Sequence, residues 1–321
     1  MENYRVDAHC DTLLGLDKSF IKSDSREGSF YSNDSIAVDI RKMQEANHDL
    51  QFMAVFISPI FNPHSSLKMC LHYIDLLNRK VDNNSEYVSL ITNYKELKEN
   101  KSKGKISLLL SLEGGEALTD DIAVLRVLYK LGLRCITLTW NHRNNLADGV
   151  GESITNGGLT NFGKEVVKEM NRLGIIIDVS HLSEPGFWDV ADLTTKPIIA
   201  SHSCAYRLCN HKRNLKDHQI RKISELGGVI GVNYYTEFLE NDPKKANVKS
   251  IVNHIEYIAN VGGIESVGLG SDFDGAKTPG DISDISKTYK IKDEMKKRGF
   301  SHDDINKVMG NNFVRVIKDI L

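Results

Sequence analysis

The chain has 321 residues, 40% apolar and 26% charged, enough for a buried core beneath an ordinary solvated surface. Its 41 Lys and Arg against 43 Asp and Glu leave a formal charge of −2, so no overall field draws it to nucleic acid or an anionic membrane. No run approaches the roughly 20 apolar residues that span a bilayer, and five scattered cysteines without a C-x-x-C pair offer neither a disulfide framework nor a thiolate zinc cage.

Eight β-rich apolar runs, bounded by Gly, Pro or polar residues, predict strands near Tyr4–His9, Leu50–Ile57, Ile106–Leu112, Cys135–Thr139, Ile175–Ser180, Pro197–Ser201, Gly228–Asn233 and Ser266–Ser271. Most are apolar on both faces, as in parallel strands covered by helices. Between them lie helical periodicities, at Asp121–Leu131 and at Asn161–Leu173 behind a Thr160 N-cap. Leu131-Gly132, Leu173-Gly174, Leu226-Gly227 and Val261-Gly262 each place a glycine where a helix must release the chain into a strand. This alternation predicts an α/β fold, a (β/α)8 barrel forming one domain over residues 1–321 with a C-terminal helical extension. An open doubly wound sheet is the competitor, but no G-x-G-x-x-G follows the first strand. Polar inserts follow the first, fourth, sixth and eighth strands, at Lys18–Ser35, Asn141–Gly158, Cys204–Lys216 and Gly275–Ser286.

The strand ends carry the chemistry. The first ends in Asp7-Ala8-His9-Cys10-Asp11, where the two-residue period turns His9 and Asp11 to one side and Cys10 to the other. The third ends at Glu113-Gly114-Gly115, the fifth at His181, the sixth at His202 and the eighth at Asp272. Taken singly, each has an ordinary reading: a hydrogen-bonded structural histidine, a turn glutamate, an N-cap aspartate. Together, six ionisable groups at the mouth of an apolar barrel are costly unless paired or bound to metal. Imidazole and carboxylate without thiolate suit Zn²⁺, Mn²⁺ or Fe²⁺, and five ligands suggest two ions bridged by a carboxylate.

The ordered set Asp7–Asp11, Leu112–Gly115, Asp178–His181, Ser201–Tyr206 with Lys212-Arg213-Asn214, and Gly270–Gly275 resembles the membrane (renal) dipeptidase family of metallopeptidases, amidohydrolase-like barrels with His-x-Asp in place of His-x-His. The resemblance implies two zinc ions per chain, His9 and Asp11 on one, His181 and His202 on the other, with Glu113 bridging. A hydroxide between the ions would attack the peptide carbonyl of a dipeptide, Asp272 would shuttle the proton to the leaving amine, and Arg213 would hold the substrate's terminal carboxylate. From sequence alone Arg213 reads equally well as a solvated member of the run His211-Lys212-Arg213. Mammalian members carry a substrate-contacting His after the fourth strand; here Trp140 stands there, and His142, two residues on, is the candidate, its removal expected to lower turnover tenfold or more. The family's anchored members have a signal sequence and a lipid-attachment tail. With neither apparent, the expectation is a cytoplasmic, bacterial-type enzyme that binds neither membrane nor nucleic acid and is a possible homodimer. The alternatives are another amide or lactone hydrolase on the same metal barrel, and a non-catalytic metal-binding barrel.

Overall fold

Alternation of inward and outward side chains along short parallel strands decides the architecture. The computed structural model describes residues 3–17, 29–61, 64–152, 154–155 and 157–321. Its strands are β1 (Val6–Cys10), β2 (Leu50–Phe56), β3 (Val88–Leu90), β4 (Ile106–Glu113), β5 (Cys135–Thr137), β6 (Ile176–Asp178), β7 (Ile198–Ala200), β8 (Val229–Val232) and β9 (Val267–Leu269). They pair in parallel in the order β1-β2-β4-β5-β6-β7-β8-β9, with β3 added outside β4. The Asp11 amide donates to the Phe273 carbonyl at 2.9 Å and the Asp272 amide to the His9 carbonyl at 3.2 Å, drawing the two ends of the sheet together. The result is a (β/α)8 barrel. Each predicted run overlaps one strand of the path; β3 was missed because a three-residue strand is too short to show a period.

Two cores follow from the alternation. Val6, Ala8, Leu50, Phe52, Leu109, Ile176, Ile199 and Val229 face inward, and their neighbours Met53, Val55, Leu108, Leu110, Ile177 and Ile230 face the helices. The inner core is completed by the C-terminal helix Asn312–Ile320, which buries Phe313, Val316 and Ile317 among the inward residues. Phe313 stands 6.0 Å from Phe52, ring centre to ring centre. The extension is therefore part of the core, sealing the end of the barrel opposite the strand C-termini.

Helix boundaries follow capping chemistry. Thr160 accepts from the Gly163 amide at 2.9 Å to start Asn161–Leu173, and Gly174 ends it at φ 76°. Gly132 and Gly227 are likewise left-handed, at φ 104° and 72°. The fourth stop is displaced by one residue: Gly262 closes the helix Val248–Gly262 and Gly263 turns, at φ 87°. Of the insert Lys18–Ser35, residues 18–28 lie outside the described residues.

Candidate active site

Two buried aspartates, quoted above only as parts of motifs, hold the strand ends in place. Asp7 on β1 accepts from the amide and hydroxyl of Ser271, at 2.7 and 2.6 Å. Asp178 at the end of β6 accepts from the amides of Ser180 and Ser201 at 2.9 Å, and from the hydroxyls of Thr137 and Ser201 at 2.6 and 2.5 Å. Each carboxylate ties together segments that begin to diverge where the ladder stops. Their signal in the sequence was faint, since an acid inside a β-run differs little from a turn residue.

On this frame the predicted ligands meet. His9 Nε2 lies 3.4 Å from Asp11, 3.6 Å from Glu113 and 3.9 Å from Asp272. Glu113 Oε1 lies 3.1 Å from His181 Nε2 and 3.6 Å from His202 Nε2, and the two imidazole nitrogens are 2.8 Å apart. His181 and Asp272 reach inward from left-handed backbone, φ 65° and 62°, a conformation that L-residues adopt at a cost and that functional sites retain. Gly275 is needed beside them, because a Cβ there would come within 1.9 Å of Asp11 Oδ2.

The tautomers can be traced. The Ser201 hydroxyl donates to Asp178 and so accepts from His202 Nδ1, 2.8 Å away; His181 Nδ1 donates to Asn141 Oδ1 at 2.9 Å. In the neutral rings both protons are then on Nδ1, and two Nε2 lone pairs face each other beside a carboxylate oxygen. Burial, with the positive charges of Arg213 and His9, pushes both rings well below the usual histidine range, so protonation does not relieve the contact. Three acceptors converging among buried side chains fit a cation. The other half is acid-rich: burial opposes a charge on His9, but Glu113, Asp11 and Asp272 outweigh it and raise its pKa to about 10. His9 Nε2 and Asp11 Oδ1 are buried without a hydrogen-bond partner. Deprotonated His9 would present that nitrogen to a metal between the carboxylates.

Asp272 sits at the edge of the cluster, its Oδ2 accepting from Asn233 Nδ2 at 2.9 Å, and burial pushes its pKa up to about 6 against the pull of His9. Arg213 is only 5% exposed, which overturns the reading of a solvated basic run. Its Nη2 donates to the His202 carbonyl at 3.1 Å, its Nη1 to Ser203 Oγ at 3.4 Å, and its Nε has no partner. Arg213 and His181 line a cavity of about 290 Å³; His181 also lines a second, of about 400 Å³, that opens over Asp11, Glu113 and Asp272. Cys10 turns outward to the Phe52 carbonyl, and Cys204 bonds the Asn233 carbonyl; burial raises both thiols far above the range where a thiolate forms.

The model of the membrane dipeptidase family (peptidase family M19) matches residues 2–321. This chain belongs to that family. Dipeptidase aclJ of Aspergillus oryzae is 32% identical over 98% of the chain and 78% of its own length. Dipeptidase tcpJ of Claviceps purpurea is 34% identical over 80% of the chain, a match to 61% of its own length. A metallopeptidase from Rhodobacter sphaeroides, solved with a phosphinate mimic of the dipeptide L-Ala-D-Ala, is 25% identical and superposes over all of both chains with a TM-score of 0.87. The fold of this family member is thus the (β/α)8 barrel described above. Among the described residues no helix is long and apolar enough to cross a membrane.

The structure places the candidate substrate contact His142 apart from the other candidate site residues. His142 is exposed and packs edge-on against Trp140 at 5.5 Å, outside the cavity; Trp140 and Asn141 line it. The chain turns outward after Asn141, whose carbonyl accepts from the Gly151 amide at 2.8 Å while its side chain holds His181. That turn leaves His142 at the surface, outside the residues that line the cavity.

Proposed function

We propose that this chain is a zinc dipeptidase with a dinuclear site. His9 and Asp11 would hold one ion, His181 and His202 the other, and Glu113 would bridge them. The observation that carries this reading is the meeting of two Nε2 lone pairs with Glu113 Oε1, an arrangement that is repulsive without a cation. When bound, the ions would supply an activated water and polarise the scissile carbonyl.

The protein's own residues do the rest. Arg213, buried with one nitrogen unpartnered, anchors the terminal carboxylate of a short peptide and sets the scissile bond over Glu113. Asp272, with a pKa raised to about 6, is poised to take a proton from the attacking water and return it to the leaving amine near neutral pH. Asn233 keeps that carboxyl aimed inward. Asn141 and Ser201 keep the imidazole protons on Nδ1, away from the metal side.

Metal analysis of the purified protein, coupled to dipeptide hydrolysis with and without chelator, tests this reading. About two zinc equivalents and loss of cleavage on chelation are expected. A fully active, metal-free protein would sink it.

A further inference from the structure

The two cavities that meet at His181 give a bound dipeptide a direction, if the dipeptidase reading above holds. With its terminal carboxylate at Arg213 and its peptide bond over Glu113, its amino-terminal residue enters the larger cavity, of about 400 Å³. Aromatic rings wall that cavity: Phe56 meets Trp140 edge-on at 5.3 Å, and Tyr235 meets Phe238 edge-on at 4.8 Å. Such walls cover the methylenes of a side chain and leave its end to be recognised further out.

Lys277, exposed to solvent, is the one lysine or arginine among the described residues lining this cavity. Its backbone is held in place: the Thr236 amide donates to the Lys277 carbonyl at 3.1 Å, and the preceding Ala276 amide donates to the Asp272 carbonyl at 3.0 Å. Its ammonium makes no hydrogen bond or ion pair with any described residue. The carboxylates that line the cavity each lie beside another side chain, Asp11 through Oδ2 beside His9, Glu113 beside His181 and Asp272 beside Asn233. Among the described residues that line this cavity, Lys277 is the one charged side chain that no other described residue meets.

We propose that Lys277 makes the enzyme selective for dipeptides whose amino-terminal residue carries a carboxylate side chain, Glu or Asp. The test compares kcat/KM for Glu-Ala, Gln-Ala, Leu-Ala and Lys-Ala in wild type, Lys277→Gln and Lys277→Glu, at low and high salt. Ratios taken within one preparation cancel any loss of folded enzyme. Wild type is expected to favour Glu-Ala over the isosteric Gln-Ala by about fivefold, the upper range for a partly exposed ion pair, and less at high salt. The ratio falls to about one in Lys277→Gln, and Lys277→Glu turns the preference towards Lys-Ala. The same ratio of Glu-Ala to Gln-Ala in wild type and Lys277→Gln would overturn the assignment, while cleavage of Leu-Ala would still uphold the dipeptidase reading. Failure to cleave any of the four would overturn both.

Discussion

Replacing Arg213 with methionine removes a guanidinium that the fold buries without supplying a carboxylate in contact with it. Its two protein acceptors are a carbonyl and a hydroxyl, at 3.1 and 3.4 Å, and burial alone drags its pKa down to about 10 despite Asp272 and Glu113 nearby. A substrate carboxylate would complete the site. Each charge-assisted hydrogen bond is worth about 1.5–3 kcal/mol, so two of them, less the cost of desolvating the substrate carboxylate, leave about 3 kcal/mol. That is a factor of about 100 in kcat/KM. The assay compares a free dipeptide with its C-terminal amide. Wild type should favour the free acid by about 100-fold, and Arg213→Met should bring the ratio to within a few-fold of one. Arg213→Lys should fall between, since an ammonium keeps the charge and loses the planar fork. Equal cleavage of acid and amide by wild type, or a preference that survives Arg213→Met, would refute the anchor and favour a different amide or lactone substrate on the same barrel.

Three further outcomes are expected. Ser201→Ala removes the acceptor of the His202 Nδ1 proton and should weaken metal binding about tenfold, read by competition with a chelating dye; unchanged affinity would show that the Asp178–Ser201 contact does not position His202. His142→Ala should leave turnover within about twofold of wild type, since an exposed ring outside the cavity donates nothing to the reaction; a tenfold loss would restore it as a substrate contact. Phe313→Ala opens a hole in the inner core and should cost about 3–5 kcal/mol in urea unfolding, with the candidate site at the opposite end of the barrel intact. A loss under 1 kcal/mol would mean the C-terminal helix is dispensable to the core.

Much of the molecule was legible in its one-dimensional pattern because the relevant physics is local. Strand runs such as Pro197–Ser201 are apolar on both faces, helices announce themselves through caps such as Thr160, and left-handed exits need glycines such as Gly174. Period-two alternation correctly separated His9 and Asp11 from Cys10. The short β3 and the displaced exit at Gly263 escaped because three residues carry no period and two adjacent glycines can exchange roles.

Residue type and place along the chain thus nominated the candidates for the chemistry: imidazoles and carboxylates at strand ends, with buried thiols turned to backbone carbonyls. How they act depended on closure of the barrel. Only the fold shows that His181 and His202 share Glu113, that Asp178 and Asn141 orient their rings, that Arg213 is buried while its neighbour Lys212 is exposed, and that Trp140 lines the cavity while His142 faces water. The reason is physical. Propensity and alternation act between residues a few positions apart, whereas desolvation and charge coupling depend on distances that exist only once segments far apart in the chain have packed together.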